Sequence, residues 1–70
     1  MVPDFSSTET RVLLAVVNGH RHYADIIEAS GVSRGHVHWC LTHLRDAGLV
    51  DWDDGKRGTL RALVTEVPFG

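Results

Sequence analysis

The sequence predicts a mainly α, α+β domain in which three helices are followed by a two-stranded β hairpin. Apolar residues recur at helical spacing in three segments that precede Gly48, and a glycine or a polar turn ends each of them. After Gly48 the pattern changes to the alternation of a half-buried strand. The 70 residues are 43% hydrophobic and 23% charged, as in an ordinary soluble globule. We therefore expect residues 1–70 to form one domain with a thin core.

The first helix is predicted over about residues 7–18. The segment 6–9 reads Ser-Ser-Thr-Glu, which has the form of a capping box, with Ser6 as the cap and Glu9 reaching back. Asn18 and Gly19 supply a left-handed stop. The apolar side of this helix is formed by Val12, Leu13, Val16 and Val17.

The second helix is predicted over about residues 23–29, with Ile26 and Ile27 as its main core contributors, and a tight turn at Gly31 follows it. The third helix is predicted over about residues 33–47 and opens on Ser33 as its cap. Its buried side is expected to contain Val37, Cys40, Leu41, Leu44 and Ala47.

A wing-like hairpin is predicted over about residues 49–66. Residues 49–52 and 59–64 have the pattern of two strands, and the polar segment 53–58 forms the turn between them. Trp52 lies in an apolar context, so we expect its ring to pack on the helices.

The third helix and its exit carry a resemblance to known regulators. The spacing S-x-x-x-V-x-x-x-L-x-x-L-x-x-x-G-L-V begins at Ser33 and ends at Val50. It resembles the recognition helix and wing entry of winged-helix regulators such as the ArsR, MarR and PadR families. Residues 25–32 look like the first helix of their helix-turn-helix, and 64–66 resemble the L-T-E that ends many MarR-type wings. The resemblance spans about residues 8–66.

What the resemblance implies is a winged helix-turn-helix fold and a small, sequence-specific DNA-binding transcriptional regulator, similar to the compact regulators of phages and mobile elements. The outward face of the third helix would then enter the major groove. Arg34 is suited to a bidentate contact with guanine, the histidines to purine acceptors, and Thr42 to a phosphate or a thymine methyl group. The candidate base-reading residues are Arg34, Gly35, His36, His38, Trp39 and Thr42.

Further residues are candidates for contacts with the DNA backbone. Arg21 and His22 stand where the second helix begins, and Lys56 and Arg57 occupy the wing tip, with Arg61 on the returning strand. Each of these side chains is equally interpretable as a solvated surface group. The neighbouring acids at positions 53 and 54 would repel the DNA backbone.

The net charge of −2 is unusual for a nucleic-acid binder. All five histidines nevertheless lie between His20 and His43, together with two arginines and only two acids, and Arg45 follows two residues later. A monomer would make few phosphate contacts, so a homodimer on double-stranded DNA is expected. The first helix and Val67–Phe69 are the candidate dimer interfaces.

Two alternatives remain open at this stage. The net acidity and an outward Trp39 are also compatible with a winged helix that docks on another protein through Trp39 and neighbouring histidines. The second alternative is nucleic-acid binding without sequence preference.

Other classes are disfavoured. His36, Cys40 and His43 lie at helical spacing, but Cys40 is expected to point inward and no carboxylate completes a metal set. The spacing of the residues suggests no catalytic set of nucleophile, base and orienting group. We therefore expect no enzyme activity, no cofactor and no metal. The sequence has neither a secretory signal nor a membrane span, which predicts a cytoplasmic protein.

Overall fold

Three helices and a short two-stranded sheet make up the part of the chain that the structure describes. The computed structural model describes residues 7–56 and 58–66. The elements in chain order are α1 (Ser7–Val17), α2 (Tyr23–Ser30), α3 (Arg34–Asp46), β1 (Val50–Asp51) and β2 (Arg61–Ala62). The strands are antiparallel, with Val50 opposite Ala62 and Asp51 opposite Arg61. The predicted fold class is confirmed.

The core lies where the three helices meet, and the sheet closes one side of it. The predicted helical periodicity is confirmed in each helix, and Cys40 is fully buried among the apolar side chains. Each fully buried valine or leucine contributes roughly 1.5–3 kcal/mol. The fully or almost fully buried large side chains are Val12, Leu13, Ile26, Val37, Leu41, Leu44 and Val50.

Two glycines end helices as predicted. Gly31 has φ +72° and donates its N–H to the Ile27 carbonyl, which turns the chain from α2 toward α3. Gly48 has φ +79°, and the bonds from Gly48 N–H to Arg45 and from Leu49 N–H to Leu44 form a Schellman motif. Residues with a Cβ rarely adopt such φ values, so glycine is the suitable residue at both ends.

Three details of the sequence prediction are wrong. Ser33 occupies the cap position of α3, but its side chain makes no capping hydrogen bond. Its carbonyl instead accepts the Val37 N–H at 2.8 Å. Ala47 is exposed, because α3 ends at Asp46 and the chain has left the helix at that point.

The third error concerns the strands, which are two residues long instead of four and six. Beyond Asp51, backbone N–H and C=O groups form hydrogen bonds with side chains. The Asp51 carboxylate accepts the Trp52 N–H at 2.9 Å, and Arg45 donates to the Trp52 carbonyl at 3.1 Å. The Thr59 hydroxyl accepts the Asp53 N–H at 2.9 Å, so side chains shape the wing more than a β ladder does.

A polar contact joins the first and third helices. Glu9 is only 3% exposed, and its Oε2 lies 2.5 Å from Nδ1 of His43, a hydrogen bond in which the ring N–H donates. Glu9 was predicted to reach back toward the start of α1. The predicted cap residue Ser6 lies outside the described residues, as do Arg57 and Val67–Phe69.

Candidate nucleic-acid interface

The N-terminal half of α3 presents one continuous outward face. Val37, Cys40 and Leu41 hold the opposite side of the helix in the core, which fixes this face outward. The predicted base-reading residues are all exposed: Arg34, Gly35, His36, His38, Trp39 and Thr42.

Aromatic rings form a row along one edge of this face. The Trp39 ring meets His36 edge-on with centroids 5.8 Å apart, and it meets His43 at 5.5 Å. Because His43 in turn bonds Glu9 of α1, the row is anchored to the core at one end. Trp39 itself stays 56% exposed, so its ring is held in place without being buried.

Tyr23 of α2 supports the same face from the other side. Its hydroxyl lies 2.7 Å from Nδ1 of His38, and the Arg34 guanidinium carbon lies 6.0 Å from the centre of its ring. Partial burial raises the pKa of the Tyr23 phenol, and the positive charge of Arg34 opposes that rise. The phenol therefore stays protonated and available as a donor to His38.

A groove of about 410 Å³ lies between the start of α2, the start of α3 and the wing. We call it the α2–wing groove. Its polar lining comes from Arg21, His22, Arg34, Lys56 and Thr59, and its apolar lining includes Tyr23, Leu41, Trp52 and Leu60. Gly58 also lines it and lies against His22, since a Cβ at Gly58 would be 3.4 Å from His22 Cε1.

The charge of this groove is entirely of one sign. None of the described residues that line it is acidic. Arg21, Arg34 and Lys56 form no ion pair with any residue in ranges 7–56 and 58–66. The structure thus brings together four residues predicted as DNA contacts from three separate parts of the chain: Arg21, His22, Arg34 and Lys56.

The remaining arginines of this region are paired with the acids of the wing. Arg45 binds Asp51 at 3.0 Å and Asp54 at 3.2 Å, and its guanidinium carbon lies 4.3 Å from the Trp52 ring centre. Arg61 binds Asp51 at 3.3 Å and approaches Asp53 at 4.0 Å. The two tip acids, expected to repel the DNA backbone, therefore have cationic partners. Arg61 is itself held by Asp51 and Asp53.

These pairs shift the ionisation of both partners. The Trp52 backbone N–H, together with Arg45 and Arg61, holds the pKa of Asp51 below its ordinary value. Partial burial acts to lower the pKa of Arg45, but its hydrogen bonds to Asp54 and Asp51 raise it overall. The acids of the wing are thus neutralised by Arg45 and Arg61, and the cations of the α2–wing groove pair with none of them.

Comparison with known protein families gives a match over residues 2–67 to the family described as sugar-specific transcriptional regulator TrmB. The chain belongs to this family. TrmB proteins are transcriptional regulators with a winged-helix DNA-binding domain, in agreement with the three helices and two-stranded sheet seen here. Comparison with curated protein sequences and with solved structures gives no match.

Membership of the TrmB family makes this chain a DNA-binding domain of a transcriptional regulator, as the sequence resemblance implied. The family is one of regulators and not of enzymes. It does not favour the alternative of a docking module that uses Trp39. No helix in the described ranges has the length and apolar character needed to cross a membrane.

Three residues of the interface of this TrmB-family domain escaped prediction from sequence. Tyr23 supports His38 from 15 positions away, and Trp52 and Thr59 line the α2–wing groove from the wing. Aromatic residues at the start of a helix and just after a short strand carry no sequence signal for this arrangement. Only the packing of α2, α3 and the wing brings them together.

The spacing of His36, Cys40 and His43 does not produce a metal site in the structure. Burial, with a contribution from the Glu9 carboxylate, raises the pKa of the Cys40 thiol to about 11. A thiol that stays protonated is a poor metal ligand. Within residues 7–56 and 58–66 no three ligating side chains converge.

Proposed function

We propose that this TrmB-family domain reads specific sequences in double-stranded DNA, with α3 in the major groove and wing residues 53–58 on the backbone or in the minor groove. The observation that carries the proposal is the α2–wing groove, where three cations that pair with no described carboxylate lie beside the first turn of α3. A phosphate bound there would orient the outward face of α3 toward the bases.

Base contacts are proposed for the outward face of α3. Arg34 begins the helix and pairs with no carboxylate in the described part of the chain, so it suits a bidentate contact with guanine. Tyr23, by donating to Nδ1 of His38, leaves the proton on Nε2, which then suits a purine acceptor. The exposed side chains or backbone of Gly35, His36, Trp39 and Thr42 complete the proposed reading surface.

Backbone contacts are proposed for both ends of the α2–wing groove. Arg21 and His22 supply a cation and a ring beside the start of α2, and Lys56 supplies a cation from the wing. Arg57 follows Lys56 in the sequence and remains a proposed contact on that ground. These few cations favour a homodimer, because two copies double the phosphate contacts.

The test is selection of bound fragments from a random duplex pool at low and near-physiological salt. Arg34→Ala is the test variant, and Arg11→Gln is the matched control, since Arg11 is exposed on α1 and belongs to no ion pair in the described ranges. We expect an enriched motif that loses information at one position in the Arg34 variant. The Arg11 control should retain the complete motif.

The outcomes separate the possible functions. A two-fold symmetric motif supports a dimer, and a single half-site argues against one. Binding without enrichment would replace sequence reading with non-specific nucleic-acid binding. Absence of binding at both salt concentrations would overturn the proposal. It would favour the alternative in which the exposed Trp39 anchors a protein partner.

A further inference from the structure

The α2–wing groove is larger than a DNA phosphate requires. Its volume of about 410 Å³ lies in the range of roughly 300–1,000 Å³ that is typical of small-molecule sites. A backbone phosphate would engage the exposed cations. Leu41 and Leu60 also line the groove, yet they are almost fully buried and would lie below such a phosphate. The interior therefore has room for more than one phosphoryl group.

The lining specifies the chemistry of a second occupant. No carboxylate among residues 7–56 and 58–66 pairs with Arg21, Arg34 or Lys56, and Thr59 adds a hydroxyl. Tyr23 and Trp52 contribute half-buried rings beside the apolar floor. Guanidinium and ammonium groups bind phosphate oxygens well, and rings and apolar side chains suit a small organic body.

We propose that the α2–wing groove binds a small phosphomonoester and that this ligand excludes DNA from the same cations. The ligand has a dianionic phosphate at the Arg21, Arg34 and Lys56 side chains and a compact organic body over Tyr23 and Leu60. Binding of the ligand is independent of the proposed DNA function, whereas its effect on DNA rests on that function.

The exclusion follows from shared contacts. A cation that holds the free ligand cannot hold a backbone phosphate at the same time, so each ligand must weaken the other equally. Arg34 is also proposed to reach a base, and its capture by the ligand would reduce sequence reading as well as affinity. The groove would thereby make DNA binding by this domain responsive to a metabolite.

The direct test uses the ¹⁵N-labelled chain without DNA. Ribose 5-phosphate is the probe, ribose is the neutral control and inorganic phosphate is the anion without a body. We expect saturable shifts of the amide signals of residues 21–24 and 58–60 and of the Trp52 indole with ribose 5-phosphate. Inorganic phosphate should bind more weakly at the same amides, and ribose should have no effect.

Matched variants assign the shifts to the groove. Arg21→Gln and Lys56→Gln should each weaken ribose 5-phosphate binding by about tenfold, since each removes one charge-assisted contact. Arg11→Gln removes the same charge from the exposed face of α1 and should leave the affinity unchanged. The absence of saturable shifts, or equal weakening by Arg11→Gln, would overturn the proposal.

A second measurement separates this proposal from the proposed function. Ribose 5-phosphate should displace a fluorescent duplex bearing the selected motif at constant ionic strength, and ribose should not. Groove binding without displacement would overturn the exclusion, with DNA reading left intact. If the chain bound no DNA at all, the proposed function would fail, and the exclusion would fail with it. The direct titration would still decide whether the groove binds the ligand.

Discussion

At the scale of single residues, the interface depends on side chains that position others. Tyr23 holds His38 by one hydrogen bond of 2.7 Å, and Trp39 holds His36 and His43 by ring contacts. An imidazole that is fixed through one nitrogen presents the other in a defined direction. The proposed reading surface is therefore more ordered than its exposure suggests.

Tyr23→Phe tests this positioning role. The variant keeps the ring and removes the hydroxyl, so the fold should be unchanged and His38 should lose its support. We expect DNA affinity to fall by about 0.5–1.5 kcal/mol, roughly 2–12-fold, as measured by fluorescence anisotropy on the selected duplex. Arg11→Gln serves as the control with normal affinity. Unchanged affinity together with an unchanged motif would show that the hydrogen bond to His38 is irrelevant to DNA.

Lys56→Gln tests the wing as a contact to the DNA backbone. Loss of one phosphate contact should weaken binding by a similar factor on all sequences and lower the slope of log affinity against log salt by about 1. Anisotropy titrations at several salt concentrations measure both quantities. A change of preferred motif, with the salt slope unaltered, would contradict a phosphate contact at this position.

At the scale of elements, polar side chains connect parts that the short sheet does not. Arg45 of α3 contacts Asp51, Asp54 and the Trp52 carbonyl, so it joins the helix to the wing. Glu9 and His43 join α1 to α3. A sheet with two residues in each strand is too small to be stable alone, and these contacts orient the wing and the helices around it.

Asp51 should make wing stability depend on pH. Its folded pKa lies below its ordinary value of 3.8, so the stabilisation is complete above about pH 4 and is lost as the pH falls through the folded pKa. We expect Asp51→Asn to reduce the free energy of unfolding at pH 6. As the pH falls below 4, the free energy of unfolding should then decrease less in the variant than in the wild type. Urea unfolding at pH 6, 4 and 3 measures both. Parallel pH profiles would contradict this role.

Glu9 should contribute to helix packing through its contact with His43. Loss of a hydrogen bond that involves a charged group costs about 1.5–3 kcal/mol, and we expect Glu9→Ala to fall in that range. Glu9→Gln keeps an acceptor of the same size and should lose less. Urea unfolding monitored by circular dichroism compares the three proteins. Equal losses in the two variants would contradict this expectation and indicate that the contact requires the negative charge of Glu9, since Gln keeps both the volume and a neutral acceptor.

At the scale of the whole molecule, a thin core supports the fold. Seventy residues bury a limited apolar surface, so each core side chain carries a large share of the stability. The distribution of charge is also a property of the whole molecule. Pairing of Asp51, Asp53 and Asp54 with Arg45 and Arg61 leaves a basic groove on a chain with a net charge of −2.

Leu13 and its neighbour Leu14 provide a matched test of the core. Leu13 is fully buried, whereas Leu14 is 48% exposed on the same helix. Leu13→Ala should cost about 2–5 kcal/mol, which is a large part of the stability of so small a domain. Leu14→Ala should stay within about 0.5 kcal/mol of the wild type. Thermal unfolding resolves the difference, and similar losses in both variants would contradict the assignment of Leu13 to the core and Leu14 to the surface.

Local features determined how much of the fold was predictable. Gly31 and Gly48 end their helices through bonds that reach at most five residues back, and a pattern of that range is visible in the sequence. The missing capping bond of Ser33 was not predictable in this way, because a side chain that suits the cap position need not form the capping hydrogen bond. The length of the strands was not predictable either. Arg45, Asp51 and Thr59 compete for the backbone groups of the wing.

The sequence by itself determined the three helices, their buried faces, the wing and the outward face of α3, because periodicity and glycine turns act over a few neighbouring residues. Only the tertiary structure decided which charges are neutralised and which are left to bind. The contacts that matter join Tyr23 to His38, Glu9 to His43 and the α2 start to the wing, across 15 to more than 30 residues. A contact over such a separation is a consequence of helix packing in space, and no local pattern encodes it.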